Sequence, residues 1–119
     1  MSGLADPQAF AEEWIAAWNA RDLDKVLAFF AEDAVFSSPL AAKVVPESGG
    51  TVRGKAALRD YWSAALAQNP DLDFELTTLH AGIDVLLIGF RMNGGADRVE
   101  VLRFRGGRVV EGCGTYRVG

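Results

Sequence analysis

Glu100 is the residue whose surroundings in the chain point most directly to chemistry. In the run Val99-Glu100-Val101-Leu102-Arg103-Phe104, strand alternation puts Glu100, Leu102 and Phe104 on one side and Val99, Val101 and Arg103 on the other. The side with Leu102 and Phe104 carries the bulkier hydrophobes, so it is expected to face the interior. A carboxyl buried there is harder to ionise, and its pKa rises. Such a group can serve as general acid, general base or neutral hydrogen-bond donor. The competing reading is a structural ion pair with Arg91, the nearest candidate across the hairpin, because ion-pair networks also perturb carboxylates.

Trp14, Trp18 and Trp62 are three indoles in a short chain. On helix faces that meet a sheet they would line an apolar cavity, each with one N–H donor, or simply fill a core. Gly112, Gly114 and Tyr116 alternate onto one strand face. The two glycines would leave room there beside the Tyr116 hydroxyl, or would only ease the curvature of a terminal strand. His80 is the single histidine, so an imidazole metal site is not expected. Cys113 and the serines show no signature of an activated nucleophile. The Gly-Gly pairs lack phosphate-loop spacing and read as turns. Arg53-Gly54-Lys55 precedes a helix start and is a weak anion attractor.

The elements that must hold these residues follow from periodicity. Asp6-Pro7 is a cap followed by proline at the first helical position. Phe10, Trp14 and Trp18 then make one apolar stripe of about three turns. Asp22 caps a second helix carrying Leu23, Val26, Leu27 and Phe30 at helical spacing. Residues 34–38 read as a short strand stopped by Pro39. Residues 39–53 read as a long connection of the kind that serves as a lid or binding loop. Gly54 opens a third helix with Leu58, Tyr61, Trp62, Ala65 and Leu66 on its apolar face, ended by Asn69-Pro70-Asp71. Four strands follow: 72–80, 85–92, 98–105 and 108–118, with turn signals at Asn93-Gly94-Gly95 and Gly106-Gly107. Three helices and an antiparallel meander imply one α+β domain over residues 1–119, with the helices on one face of the sheet. A strongly curved sheet capped this way leaves an apolar pocket in its mouth. The opposite face, with Val101, Arg103, Val109, Cys113 and Thr115, suits a homodimer contact.

Composition narrows the classes. Sixteen acids against twelve bases give a net charge of −4 and a pI near 4.9. Without a basic block the chain is a poor nucleic-acid binder. One cysteine allows no internal disulfide and no cysteine-based zinc site. The longest strongly apolar run, Val85 to Ile88, is far too short for a bilayer. No membrane association is expected. The N-terminus lacks a signal-peptide pattern, and a cytoplasmic location is the expectation.

The stretch W-I-A-A-W-N-A-R-D-L-D-K-V-L-A-F-F-A-E-D-A-V-F-S-S-P, from Trp14 to Pro39, resembles the NTF2-like superfamily, in its SnoaL-like and ketosteroid-isomerase-like branch. T-V-R-G-K-A-A-L-R-D-Y-W and E-V-L-R-F-R-G-G-R-V-V carry the same resemblance, which covers nearly the whole chain. It implies a cone of curved sheet around a ligand pocket and a homodimer packed through the outer sheet face. The scaffold hosts many activities, so it identifies the fold better than the reaction. In ketosteroid isomerase an Asp general base directly precedes the proline that ends the first strand. Ser38 stands there and cannot be that base. The resemblance aligns Trp14 with an oxyanion-hole Tyr, Trp62 with a supporting Tyr, and Glu100 with an oxyanion-hole carboxylic acid held neutral by its apolar site. It also places Phe36, Leu102, Gly112, Gly114 and Tyr116 toward the cavity. Ketosteroid isomerisation itself is not expected, since a positioned base contributes about 10²–10⁴-fold.

The expectation is therefore a protein that binds a hydrophobic small molecule through Trp14, Trp18, Phe36, Ser38, Trp62, Leu102, Gly112, Gly114 and Tyr116. Glu100 would be its catalytic residue for cofactor-independent isomerisation, cyclisation or dehydration, with indole N–H groups orienting a substrate carbonyl. Neither cofactor nor metal is called for. The alternatives are a non-catalytic binder using the same pocket, and a homodimeric assembly module whose cavity is plugged by the tryptophans.

Overall fold

Side-chain capping starts the first two helices where the residue types predict it. The computed structural model describes residues 5–118 of the chain. Helix α1, Pro7–Asn19, begins with the Asp6 side chain accepting from the Ala9 N–H at 3.0 Å, and buries Ala11, Trp14, Ala17 and Trp18. Helix α2, Leu23–Ala28, is capped by Asp22 through the Lys25 N–H. Phe30 does not continue α2; it opens strand β1, Phe30–Ser37, and is almost fully buried.

The long connection expected over 39–53 is structured. Ser38 caps helix α3, Pro39–Val44, by accepting from the Ala41 N–H at 3.0 Å. A 3₁₀ turn, Pro46–Ser48, and strand β2, Thr51–Arg53, follow. Helix α4, Lys55–Gln68, buries Leu58, Tyr61, Trp62, Ala65 and Leu66, as its spacing predicts. The remaining chain is the meander β3, Phe74–Gly82; β4, Val85–Met92; β5, Asp97–Arg105; and β6, Arg108–Tyr116. At the β4–β5 turn Asn93 and Gly94 have φ of 55° and 69°. That left-handed pair is what an Asn-Gly hairpin turn requires.

The six strands form one curved, unclosed sheet in the order β2-β1-β6-β5-β4-β3. The α+β class and the curved sheet follow the expectation. Two details differ: there are four α-helices rather than three, and β1 runs parallel to β6 within a sheet otherwise antiparallel. Sequence alternation does not encode strand direction, so this pairing was not legible. The register places Glu100 between Ile88 on β4 and Gly114 on β6. Leu86, Ile88, Leu102, Phe104 and Phe36 face the helices and are buried. Val109, expected on the outer face, is fully buried. A register shift between Arg103 and Phe104 sets Val109 against Phe104, turning it to the inner face.

Candidate active site

The inner face of the sheet and helices α1, α3 and α4 leave a cavity of about 300 Å³. Its apolar wall includes Trp14, Trp18, Trp62, Phe36, Phe74, Phe90 and Met92, and its polar groups include Ser38, Tyr61, Arg98, Glu100 and Lys43. Of the residues expected to face a ligand, Trp14, Trp18, Phe36, Ser38, Trp62, Gly114, Tyr116 and Glu100 line this cavity. Leu102 and Gly112 do not. Leu102 is sealed in the core with no exposed surface. Gly112 gives its space to a neighbour: a Cβ there would lie 2.6 Å from Phe36 Cδ1, so the glycine lets that ring cross β6.

Glu100 projects from the middle of β5 into this space. The residue is half-buried and lines the cavity, and the apolar walls around it leave its carboxyl poorly hydrated. Burial pushes its pKa from 4.5 up to about 8, against the opposing pull of the Arg98 guanidinium. Arg91 is not its partner. That guanidinium lies on the outer face, 3.4 Å from Glu75 and 3.7 Å from Asp97. The register explains this, since Arg91 pairs with Asp97, one residue out of phase with Arg98 and Glu100.

Two hydroxyls stand next to the carboxyl. Ser38 Oγ and Tyr61 Oη share a hydrogen bond of 2.9 Å. Ser38 sits at the end of β1 because its side chain is already committed as the cap of α3. Burial drives the Tyr61 hydroxyl up to about 12, with the nearby Glu100 adding to the rise. Tyr61 is therefore a neutral donor at any physiological pH. The pair holds two protons and spends one between them, so one remains to donate onward. Gly114 makes the approach possible: a Cβ on it would meet Ser38 Cβ at 3.0 Å and Glu100 Oε1 at 3.6 Å.

The tryptophans behave differently from the expectation. Trp14 Nε1 and Trp18 Nε1 are sealed from solvent and have no acceptor among the described residues. They present ring surface, not N–H groups, to the cavity. Trp18 meets Trp14 and Trp62 edge-on at 6.2 and 5.3 Å between centroids, and Trp62 also meets Phe30 and Phe36. These contacts make a rigid aromatic floor without filling the space above it. Tyr116 offers its ring as a platform, with the Arg98 guanidinium 4.3 Å above the centroid.

Sequence reasoning missed Tyr61 and Arg98 as site residues. Arg98 was one step of alternation away, on the same face as Glu100. Tyr61 was grouped with the apolar face of its helix, and the supporting hydroxyl was sought at the position of Trp62. His80 is exposed on β3, and Cys113 is a half-buried free thiol.

Comparison with known proteins decides the family. The SnoaL-like domain model matches residues 11–117. The chain belongs to the SnoaL-like family. A SnoaL-like protein of unknown function from Burkholderia thailandensis is similar to this SnoaL-like chain, at 39% identity over 94% of each chain with a TM-score of 0.87. AclR from Streptomyces galilaeus, a provisionally assigned hydroxylase, is 24% identical over 95% of this chain and 90% of its own, with a TM-score of 0.72. A provisionally assigned polyketide cyclase from Sinorhizobium meliloti is 17% identical over 90% and 94%, with a TM-score of 0.74. At those identities the last two likenesses show the fold alone. No match was found among curated proteins. No helix among the described residues of this SnoaL-like domain is long and apolar enough to cross a membrane.

Proposed function

We propose that the chain binds a hydrophobic, ring-containing small molecule in the cavity and that Glu100, protonated at neutral pH, transfers a proton or donates a hydrogen bond to one of its oxygens. The observation that carries this is a single carboxyl in an aromatic-walled hollow beside the Ser38–Tyr61 hydroxyl pair. A protonated carboxyl and a neutral phenol lining one cavity favour negative charge developing on a carbonyl or hydroxyl oxygen of its ligand. The reactions that need this without a cofactor are isomerisation, cyclisation and dehydration. Glu100 is the catalytic residue of this reading, and Tyr61 and Ser38 supply the adjoining donor. Ketosteroid isomerisation is not part of the reading, because Ser38 occupies the position of its general base.

Solvent-deuterium exchange into cyclic ketones and enones, followed by NMR, tests the chemistry. The wild type should exchange protons next to the carbonyl, with solvent water taking the carbon-bound proton as Glu100 protonates the oxygen. Glu100→Gln should slow that exchange about a hundredfold or more while keeping affinity. Activity that uses the protonated form should also fall as pH rises through about 8. Equal exchange by both proteins sinks the assignment of Glu100.

A second reading, a non-catalytic binder, is favoured by one observation. Glu100 is the only acidic residue on the cavity wall among the described residues, and no histidine joins it. Saturable binding by wild type and Glu100→Gln, without exchange by either, selects the binder.

A further inference from the structure

The charge on the cavity wall runs against the charge of the molecule. The chain carries a net −4, yet the charged residues lining the cavity are Lys43, Arg98 and Glu100. Arg98 is half-buried on β5 and Lys43 is exposed on α3, which packs against β6. Neither makes a hydrogen bond or an ion pair within 4.0 Å among the described residues, although other arginines of the chain are paired. The Arg98 guanidinium stacks on the face of Tyr116, 4.3 Å from the ring centroid, and acts on Glu100 and Tyr61 through its charge. This stacking holds the group in place but leaves its in-plane N–H donors without acceptors.

We propose that Arg98 and Lys43 form an anion-selecting collar at the mouth of the cavity, so that the ligand is a ring system bearing a carboxylate-type anionic oxygen. The inference rests on the cavity being a ligand site, and it adds the substrate class. Arg98 presents a planar fork suited to a carboxylate, and Lys43 a mobile point charge. Glu100 does not neutralise the collar near neutral pH. Its carboxyl stays largely protonated because burial outweighs the attraction of Arg98. The groups facing Glu100 are Arg98 on its own strand, Tyr61 from α4, Tyr116 and Gly114 from β6, and Lys43 from α3 across the cavity. None of these adds a second acid. Arg98 and Glu100 are two residues apart on one strand face, about 7 Å along the strand. That is on the order of the distance across a substituted six-membered ring. A ligand anchored at Arg98 by an anionic substituent would bring an oxygen on the far side of its ring to Glu100.

The test uses tryptophan fluorescence with two probes of matched shape, 2-naphthoate and 2-naphthamide, slightly below neutral pH. The wild type should bind the carboxylate about tenfold more tightly than the amide, as a charge-assisted contact implies. Arg98→Gln should erase that preference by weakening naphthoate alone. Lys43→Gln, on an exposed side chain that does not threaten the fold, should weaken naphthoate several-fold and leave the amide unchanged. Added salt should act on naphthoate only. If the amide binds as well as the carboxylate, or if Arg98→Gln weakens both equally, the collar is wrong while the cavity remains a ligand site. If neither probe binds, the cavity reading and the collar fall together.

Discussion

At the scale of single residues, the carboxyl of Glu100 is where stability and function pull apart. Burial lifts its pKa from 4.5 to about 8. Between these values the folded protein holds a proton that the unfolded chain has released. The stability this group contributes is therefore fully present below about 4.5 and is lost as pH rises through about 8. Every tenfold difference in proton affinity between the folded and unfolded chain is worth about 1.4 kcal/mol. Glu100→Gln should flatten the decline and make the variant more stable than wild type at alkaline pH. Denaturant titrations at several pH values check this, and parallel pH profiles for the two proteins would refute it. Gly114 sets the companion prediction. With Ser38 Cβ only 3.0 Å from its added methyl, Gly114→Ala must displace the strand end or the Ser38–Tyr61 pair. It should cost about 1–3 kcal/mol and weaken any cavity ligand several-fold, read by thermal unfolding and fluorescence binding. The inward direction of Glu100 was legible because alternation is a local property of a strand. Its neighbours were not: Tyr61 sits in a buried helical arc with Leu58, Ala65 and Trp62, where nothing local distinguishes a hydroxyl that lines a cavity from core packing.

At the scale of elements, side chains that replace missing backbone partners hold the walls of the cavity. Asn19, the last residue of α1, donates to the Phe74 carbonyl at 2.9 Å and accepts from the Phe74 N–H at 2.7 Å. It thus satisfies the first residue of an edge strand that lines the cavity. Arg21 has a φ of 59° and directs its guanidinium to the carbonyls of Leu66, Asn69 and Pro70 at the end of α4. There it adds a charged donor to carbonyls of which Leu66 and Asn69 also accept from backbone N–H groups, and it meets the negative end of the helix dipole. Asn19→Ala and Arg21→Ala should each destabilise by about 1–2 kcal/mol. Amide hydrogen exchange should show the loss concentrated at the start of β3 for the first and the end of α4 for the second. Uniform loss across the sheet would contradict the local account. Helix starts were legible because Asp6, Asp22 and Gly54 are chemical stop signals. Helix α3 and strand β2 were not, because each is so short that Pro39, Pro46 and Gly49-Gly50 dominate the pattern.

At the scale of the whole molecule, one sheet serves two faces with different demands. Leu102 on the inner face has no exposed surface, while Val101 beside it on the outer face is half-buried. Leu102→Ala should cost about 2–5 kcal/mol, and Val101→Ala about 1 kcal/mol or less. Equal losses in denaturant unfolding would mean that the outer face is as tightly packed as the core. The sequence by itself determined which residues point inward wherever alternation runs unbroken, Val109 beyond the register shift being the exception, and where most helices and strands begin, since strand period, helix period and capping act between neighbours in the chain. Only the tertiary structure decided which inward groups meet. Tyr61 comes from α4, Arg98 and Glu100 from β5, Gly114 from β6, and Ser38 from the end of β1. They converge because β1 pairs in parallel with β6 and α4 crosses the curved sheet. The same long-range pairing leaves a hollow rather than a filled core beside Glu100, and no local pattern encodes an empty volume.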